Sequence, residues 1–142
     1  RESRRVMGDY LLTYQDWKTC ARFDDAIACS SYGIDIHGQK PNQVNLQSLP
    51  AGGYYQIPYR CLTPRGWHNL LIAARSISAD VSAHSSLRIM PTVMSIGHAA
   101  GLAAALAVSS GDVRKIDIPR LQKRIRDGGG IIEPIQTQQV KT

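Results

Sequence analysis

The sequence predicts an α/β fold, or α+β if these residues stand alone as a fragment. Three stretches carry that expectation: an apolar alternation near the start, a strand-length apolar run at residues 69–74, and an Ala- and Leu-rich run at residues 91–108. The chain has 142 residues, 43% hydrophobic and 20% charged, which is globular composition with room for one core of ordinary size. Lys plus Arg number 17 against 11 for Asp plus Glu, a formal charge of +6. That excess permits an anionic partner without identifying one.

The elements follow in order. Residues 4–14 (RRVMGDYLLTY) alternate at Val6, Gly8, Tyr10 and Leu12, as a strand with one buried face does. Residues 16–22 form a polar segment of one or two helical turns. Residues 26–32 and 34–36 read as short strands divided by Gly33. Residues 38–53 turn to Gln, Asn, Pro and Gly, the composition of an exposed excursion. Residues 54–58 are extended again, because the residue before a proline is steered out of the helical region. Thr63-Pro64-Arg65-Gly66 is a turn. Residues 69–74 (NLLIAA) have the pattern of a strand covered on both faces. A helix follows over residues 91–108 with Pro91 in its first turn, then a second over residues 119–126 with Leu121 and Ile125 on one face. Gly128-Gly129-Gly130 stops that helix. Residues 135–142 are expected to be a flexible tail.

Most function classes find no support. Cysteines at 20, 29 and 61 cannot all pair and show no CxxC, which excludes a disulfide scaffold and a zinc ribbon. Thiols left unpaired favour a reducing, cytoplasmic compartment, with export of the intact protein left open. His37, His68, His84 and His98 have no metal-ligand spacing, so no metal is expected. No GxSxG elbow occurs, and His84-Ser85-Ser86 is too local for a triad. Basic residues accompany no nucleic-acid motif, and aromatics are only 6%, so nucleic acid is not an expected partner. Residues 92–108 span roughly 25 Å of helix, just under a bilayer core. Ser95, His98 and the weakly inserting alanines argue against a membrane span. Gly97, Ala100, Gly101 and Ala104 instead make a smooth stripe on which another element can pack closely.

The helix start near Pro91 is the one place where the pattern favours a ligand. Unpaired backbone N–H groups and the positive end of the helix dipole favour an anion or a group gaining negative charge there.

These residues resemble the carboxyl-terminal part of the bacterial FAD-dependent oxidoreductases, distantly similar to the flavoproteins of fumarate reductase and succinate dehydrogenase. Four ordered blocks carry the resemblance: IPYRCL at 57–62, NLLIAARSISA at 69–79, RIMPT at 88–92 and GHAAGLAAA at 97–105. RRVMGDYLLTYQD at 4–16 and YGIDIH at 32–37 also look like the family's lead-in. The resemblance implies a β-rich substrate-facing region ending near residue 62. Residues 63–134 would then be the last strand and helices of a Rossmann-like FAD-binding domain. It gives Ala74, Arg75 and Ser76 a place near the ribityl and pyrophosphate part of FAD. It turns Arg88, Ile89, Met90, Pro91 and Thr92 toward the pyrimidine edge of the flavin, with Arg88 as a charge partner of flavin or substrate in catalysis. Tyr55, Tyr59 and Arg60 would face a small organic substrate.

The departures are informative. Ala74 stands where the family usually has Gly, and His98 where it often has Gln. No GxGxxG is present, so the pyrophosphate cradle is missing from these residues. The chain is therefore expected to be a fragment, inactive alone and without bound FAD. Its smooth helix would await the missing amino-terminal FAD-binding region or a second copy. The alternative is a small basic α/β binding module without catalytic activity, which would cover that stripe with its own residues.

Overall fold

The computed structural model describes residues 5–37 and 44–134; the expected tail at 135–142 and the excursion's residues 38–43 lie outside the described residues. The fold is mixed α/β, as expected, but its sheets are two small antiparallel pairs. Strand β1 (Ala26–Ser30) pairs with β4 (Tyr55–Pro58), and β2 (Ile34–His37) pairs with β3 (Val44–Gln47). Strand β3 lies inside the stretch read as an excursion, where only the pairing with β2 makes a strand of VNLQ.

The amino-terminal alternation holds as a pattern of faces. Gly8 and Leu12 are buried while Met7 and Leu11 are exposed. It does not form a regular ladder. Gly8 bridges Pro64 and Leu12 bridges Ala79, so the segment is an extended strip laid against two different loops. Gly8 is required there, because a Cβ would stand 2.8 Å from Cβ of Ser78 and 3.0 Å from the Arg60 carbonyl. Helix α1 (Tyr14–Lys18) starts on a reciprocal cap. Thr13 Oγ1 accepts from the Asp16 N–H at 3.3 Å, and the Asp16 carboxylate accepts from the Thr13 N–H at 2.8 Å.

Residues 69–74 are not a strand. A strand buried on both faces needs a neighbour on each edge, and among the described residues none pairs with this run. Its anchor is the Ile72 N–H on the Leu62 carbonyl at 2.8 Å, and Leu70 stays 39% exposed. A short 3-10 turn (Ala74–Ser76) follows. Helix α2 (Val81–Leu87) then lies between the run 69–74 and the long helix, where sequence patterning predicts no element. Its signal was Asp80, whose carboxylate caps the Ala83 N–H at 2.8 Å and also takes the Tyr14 N–H at 2.7 Å, tying α2 to α1.

Helix α3 (Met90–Ala107) and helix α4 (Ile118–Asp127) fall close to their expected limits. By length and composition α3 could cross a bilayer, at mean hydropathy 1.3. Its Ile96, Ala99 and Ala103 are nevertheless fully buried, on β1, α4 and the 3-10 turns at Ala74–Ser76 and Val113–Lys115. One contiguous core joins Leu12, Ile27, Ile57, Leu62, Ile96 and Leu121, drawn from both sides of position 62. After α4 the glycine run serves packing as well as termination, since a Cβ at Gly130 would meet Ile125 Cγ2 at 2.6 Å.

Candidate functional site

Strand β1 ends, and α3 begins, at the same open hollow of about 430 Å³. Its walls include Cys29 and Ser30 of β1, Tyr32 and Gly33 of the following link, and Ile89, Pro91 and Thr92 of the helix start. Ile89 is the N-cap of α3 and has no side chain that could accept a hydrogen bond; none caps the first turn. Pro91 brings no N–H of its own. An 18-residue helix thus presents its positive end, without a capping side chain, beside open space.

Hydroxyls floor this hollow. Thr92 Oγ1 donates to Ser30 Oγ at 3.2 Å, and Ser30 Oγ also accepts from the Tyr32 N–H at 3.3 Å. Cys29 stands beside them, its thiol pushed above 9.0 by burial, with Sγ 3.8 Å from the Ile131 carbonyl. Among the described residues no three His, Cys, Asp or Glu side chains gather as metal ligands would.

The residues singled out from sequence are distributed as follows. Ile89, Pro91 and Thr92 line the hollow together, while Met90 projects into solvent at 79% exposure. Arg88 ends α2 and donates from Nη2 to the Asp35 carbonyl of β2 at 3.1 Å, which ties its guanidinium to the sheet. Ala74, Arg75 and Ser76 pack as a turn against α3 but do not line this hollow. Ala74 has φ of +67°, the left-handed region that favours glycine. Tyr55 and Tyr59 have core positions. The Tyr55 hydroxyl sits 2.9 Å from Ser86 Oγ, and the Tyr59 hydroxyl donates to the Val113 carbonyl at 2.8 Å. Arg60 is half exposed and paired with Asp25 at 2.9 Å. Cys29, Ser30 and Tyr32 were not singled out beforehand. They reach the hollow through the β1–β4 pairing, of which a local motif carries no sign.

Along the helix, the expected smooth stripe is largely open. A Cβ built on Gly97 or Gly101 would meet nothing within 4 Å, and Met94 beside them is 73% exposed. Ala100 is the exception and is buried.

A family profile described as FAD dependent oxidoreductase matches residues 1–125. The chain belongs to that family. Comparison with curated proteins and with solved structures gave no significant match to either. The oxidoreductase profile covers β1, β4, α2 and α3, and with them nearly all of the hollow at the start of α3. A larger hollow of about 810 Å³, between Tyr54 and the segment 129–134, lies elsewhere. Most of its wall falls beyond residue 125, outside the matched stretch. Family membership therefore directs attention to the smaller one.

The hollow suits part of a flavin. A flavin's pyrimidine edge alternates carbonyl acceptors with an imide N–H. The start of α3 offers backbone donors.

Proposed function

We propose that this chain forms the carboxyl-terminal part of an FAD site in a protein that transfers a hydride between a small organic substrate and flavin. The observation that carries this reading is the open hollow at the uncapped start of α3, inside the stretch matched by the FAD dependent oxidoreductase profile. When bound, FAD supplies the redox chemistry; the protein supplies binding, orientation and electrostatics. The backbone at residues 89–92 stabilises negative charge at the edge of the ring that faces it. Ala74, Arg75 and Ser76 take the ribityl and pyrophosphate side in this reading. Arg88, held by the Asp35 carbonyl, places a fixed positive charge one residue before the helix cap.

In the same reading residues 1–62 close a substrate-facing region and residues 63–134 complete the FAD-binding domain. The half-exposed run 69–74 packs, in this reading, against the amino-terminal FAD-binding region. The open face of α3 supports this over a self-contained binding module, which would have covered Gly97 and Gly101 with its own side chains. Without a GxGxxG the chain alone holds FAD feebly and turns over nothing.

The test is to express this chain with and without its upstream sequence and to titrate both with FAD. The longer protein is expected to be yellow and the chain alone colourless. A longer protein that stays colourless after FAD is added overturns the proposal.

A further inference from the structure

Of the residues that the resemblance turns toward substrate, Tyr55 and Tyr59 are buried and Arg60 is paired with Asp25. Their neighbour Tyr54 is partly exposed, and open space borders it. A third hollow, of about 400 Å³, lies between residues 31–33 and 48–54. It shares Ser31 and Gly33 with the hollow at the start of α3, and Tyr54 and Pro134 with the larger one. The three therefore adjoin in a row, and the middle one lies next to the space read as the flavin's. Its chemistry is distinct. No charged side chain lines it, and Ser31 and Ser48 are its polar residues besides Tyr54. Close backbone contacts fix its wall: a Cβ at Gly33 would collide with the Gln47 carbonyl oxygen, and one at Gly53 would stand 2.8 Å from that of Pro50. Tyr54 is held as well. The Arg22 guanidinium lies over its ring, 3.4 Å from the centroid, and Nη1 donates to the carbonyls of Tyr54 and, at 2.6 Å, Cys20. Arg22 lines neither hollow at Tyr54, so both meet the ring on the side that Arg22 leaves open.

We propose that this middle hollow is a substrate subsite, taking an uncharged molecule with a flat ring that packs on Tyr54. Its volume falls within the range of small-molecule pockets. A tyrosine held in one geometry by a stacked cation favours ring-on-ring contact at little cost in side-chain freedom. A carboxylate would give up hydration there with no cationic side chain in the wall to replace it. The inference rests on the FAD reading, to which it adds the class of substrate and the residue that selects it.

The experiment uses the intact flavoprotein containing this chain, with benzamide as the neutral ring and benzoate as its charged counterpart. Calorimetry gives both dissociation constants, and the visible spectrum shows whether FAD is bound. The wild type is expected to bind benzamide about tenfold more tightly than benzoate. Tyr54→Phe is expected to keep that affinity, and Tyr54→Ala to lose about five- to tenfold of it, the scale of one aromatic stack. Ser31→Trp fills the hollow from an exposed position and should lose it too, so the test holds if Tyr54→Ala fails to fold. No benzamide binding by the wild type, wild-type affinity in both variants, or benzoate bound as tightly as benzamide overturns the inference and leaves the FAD reading intact. A protein that takes up no FAD overturns that reading, and the substrate role with it, even where benzamide binds.

Discussion

Arg114 grips Asp9 across 105 residues, with Nε 2.8 Å from Oδ2 and Nη2 3.2 Å from Oδ1. The same guanidinium donates to the carbonyls of Trp67 and Pro64, and Thr63 Oγ1 donates to Asp9 at 2.6 Å. One side chain thus fastens the amino-terminal strip, the 63–67 loop and the turn after α3. Burial alone would raise the Asp9 pKa, but the hydrogen bonds and charge of Arg114, with the Thr63 bond, outweigh it and hold the carboxyl below 3.8. A depressed carboxylate contributes stability that is present above its unfolded pKa and lost as pH falls through the folded one. Urea midpoints are therefore expected to drop below about pH 4. In Arg114→Met the unfolding free energy at pH 7 should already be lower by about 1–3 kcal/mol, and the acid slope of the midpoint shallower. An unchanged acid slope would show that Asp9 does not depend on Arg114.

Ala74→Gly is expected to stabilise the protein. At φ of +67° the alanine Cβ crowds its own backbone, at a cost of about 1–2 kcal/mol, whereas glycine adopts the conformation freely. Glycine's larger unfolded-state entropy returns part of this, leaving a gain of about 0.5–1 kcal/mol. Thermal unfolding of the two proteins checks it. A lower midpoint for the glycine variant would mean that the strain is absent.

Cys61 is expected to resist alkylation in the folded protein. Burial is the largest influence on its thiol and pushes it up to about 12 from 9.0. Cys20 and Cys29, both partly exposed, should react first. The linkage runs opposite to that of Asp9. Stability from Cys61 is full below pH 9 and is lost as pH rises toward 12, so alkaline urea midpoints should fall less in Cys61→Ala. Labelling followed by mass spectrometry gives the order of reaction, and early modification of Cys61 would contradict its burial.

Gly101 should behave differently in the chain alone and in the intact flavoprotein. Its Cβ position is open, so Gly101→Ala should stabilise the chain alone by about 0.5–1 kcal/mol through helix propensity. Gly101→Leu should leave that chain folded, yet abolish flavin retention in the intact protein through a packing clash. Equal flavin content in wild type and Gly101→Leu would place no neighbour on this face.

Helices α3 and α4 were legible because each carries its signals locally: proline in the first turn, apolar residues at helical spacing, and glycines beyond the end of α4. The four motif blocks fixed the family from residue identity alone, and the profile match over residues 1–125 agrees with them. Helix α2 escaped notice because its apolar content is low and its cap, Asp80, is shared with the Tyr14 N–H from another element. Strand β3 escaped because VNLQ becomes a strand only by pairing with β2. Residues 69–74 had the composition of a buried strand, but a ladder needs partners, and composition does not supply them.

The sequence by itself determined the mixed α/β class, the long helix, its proline start and the family, since these rest on neighbours within a few positions or on the identity of short blocks. Only the tertiary structure decided that Thr92 meets Ser30, and Tyr55 meets Ser86, behind that start. Those four residues span 62 positions and come from four elements. Their hydrogen bonds depend on distances of about 3 Å, which only the packed core can set.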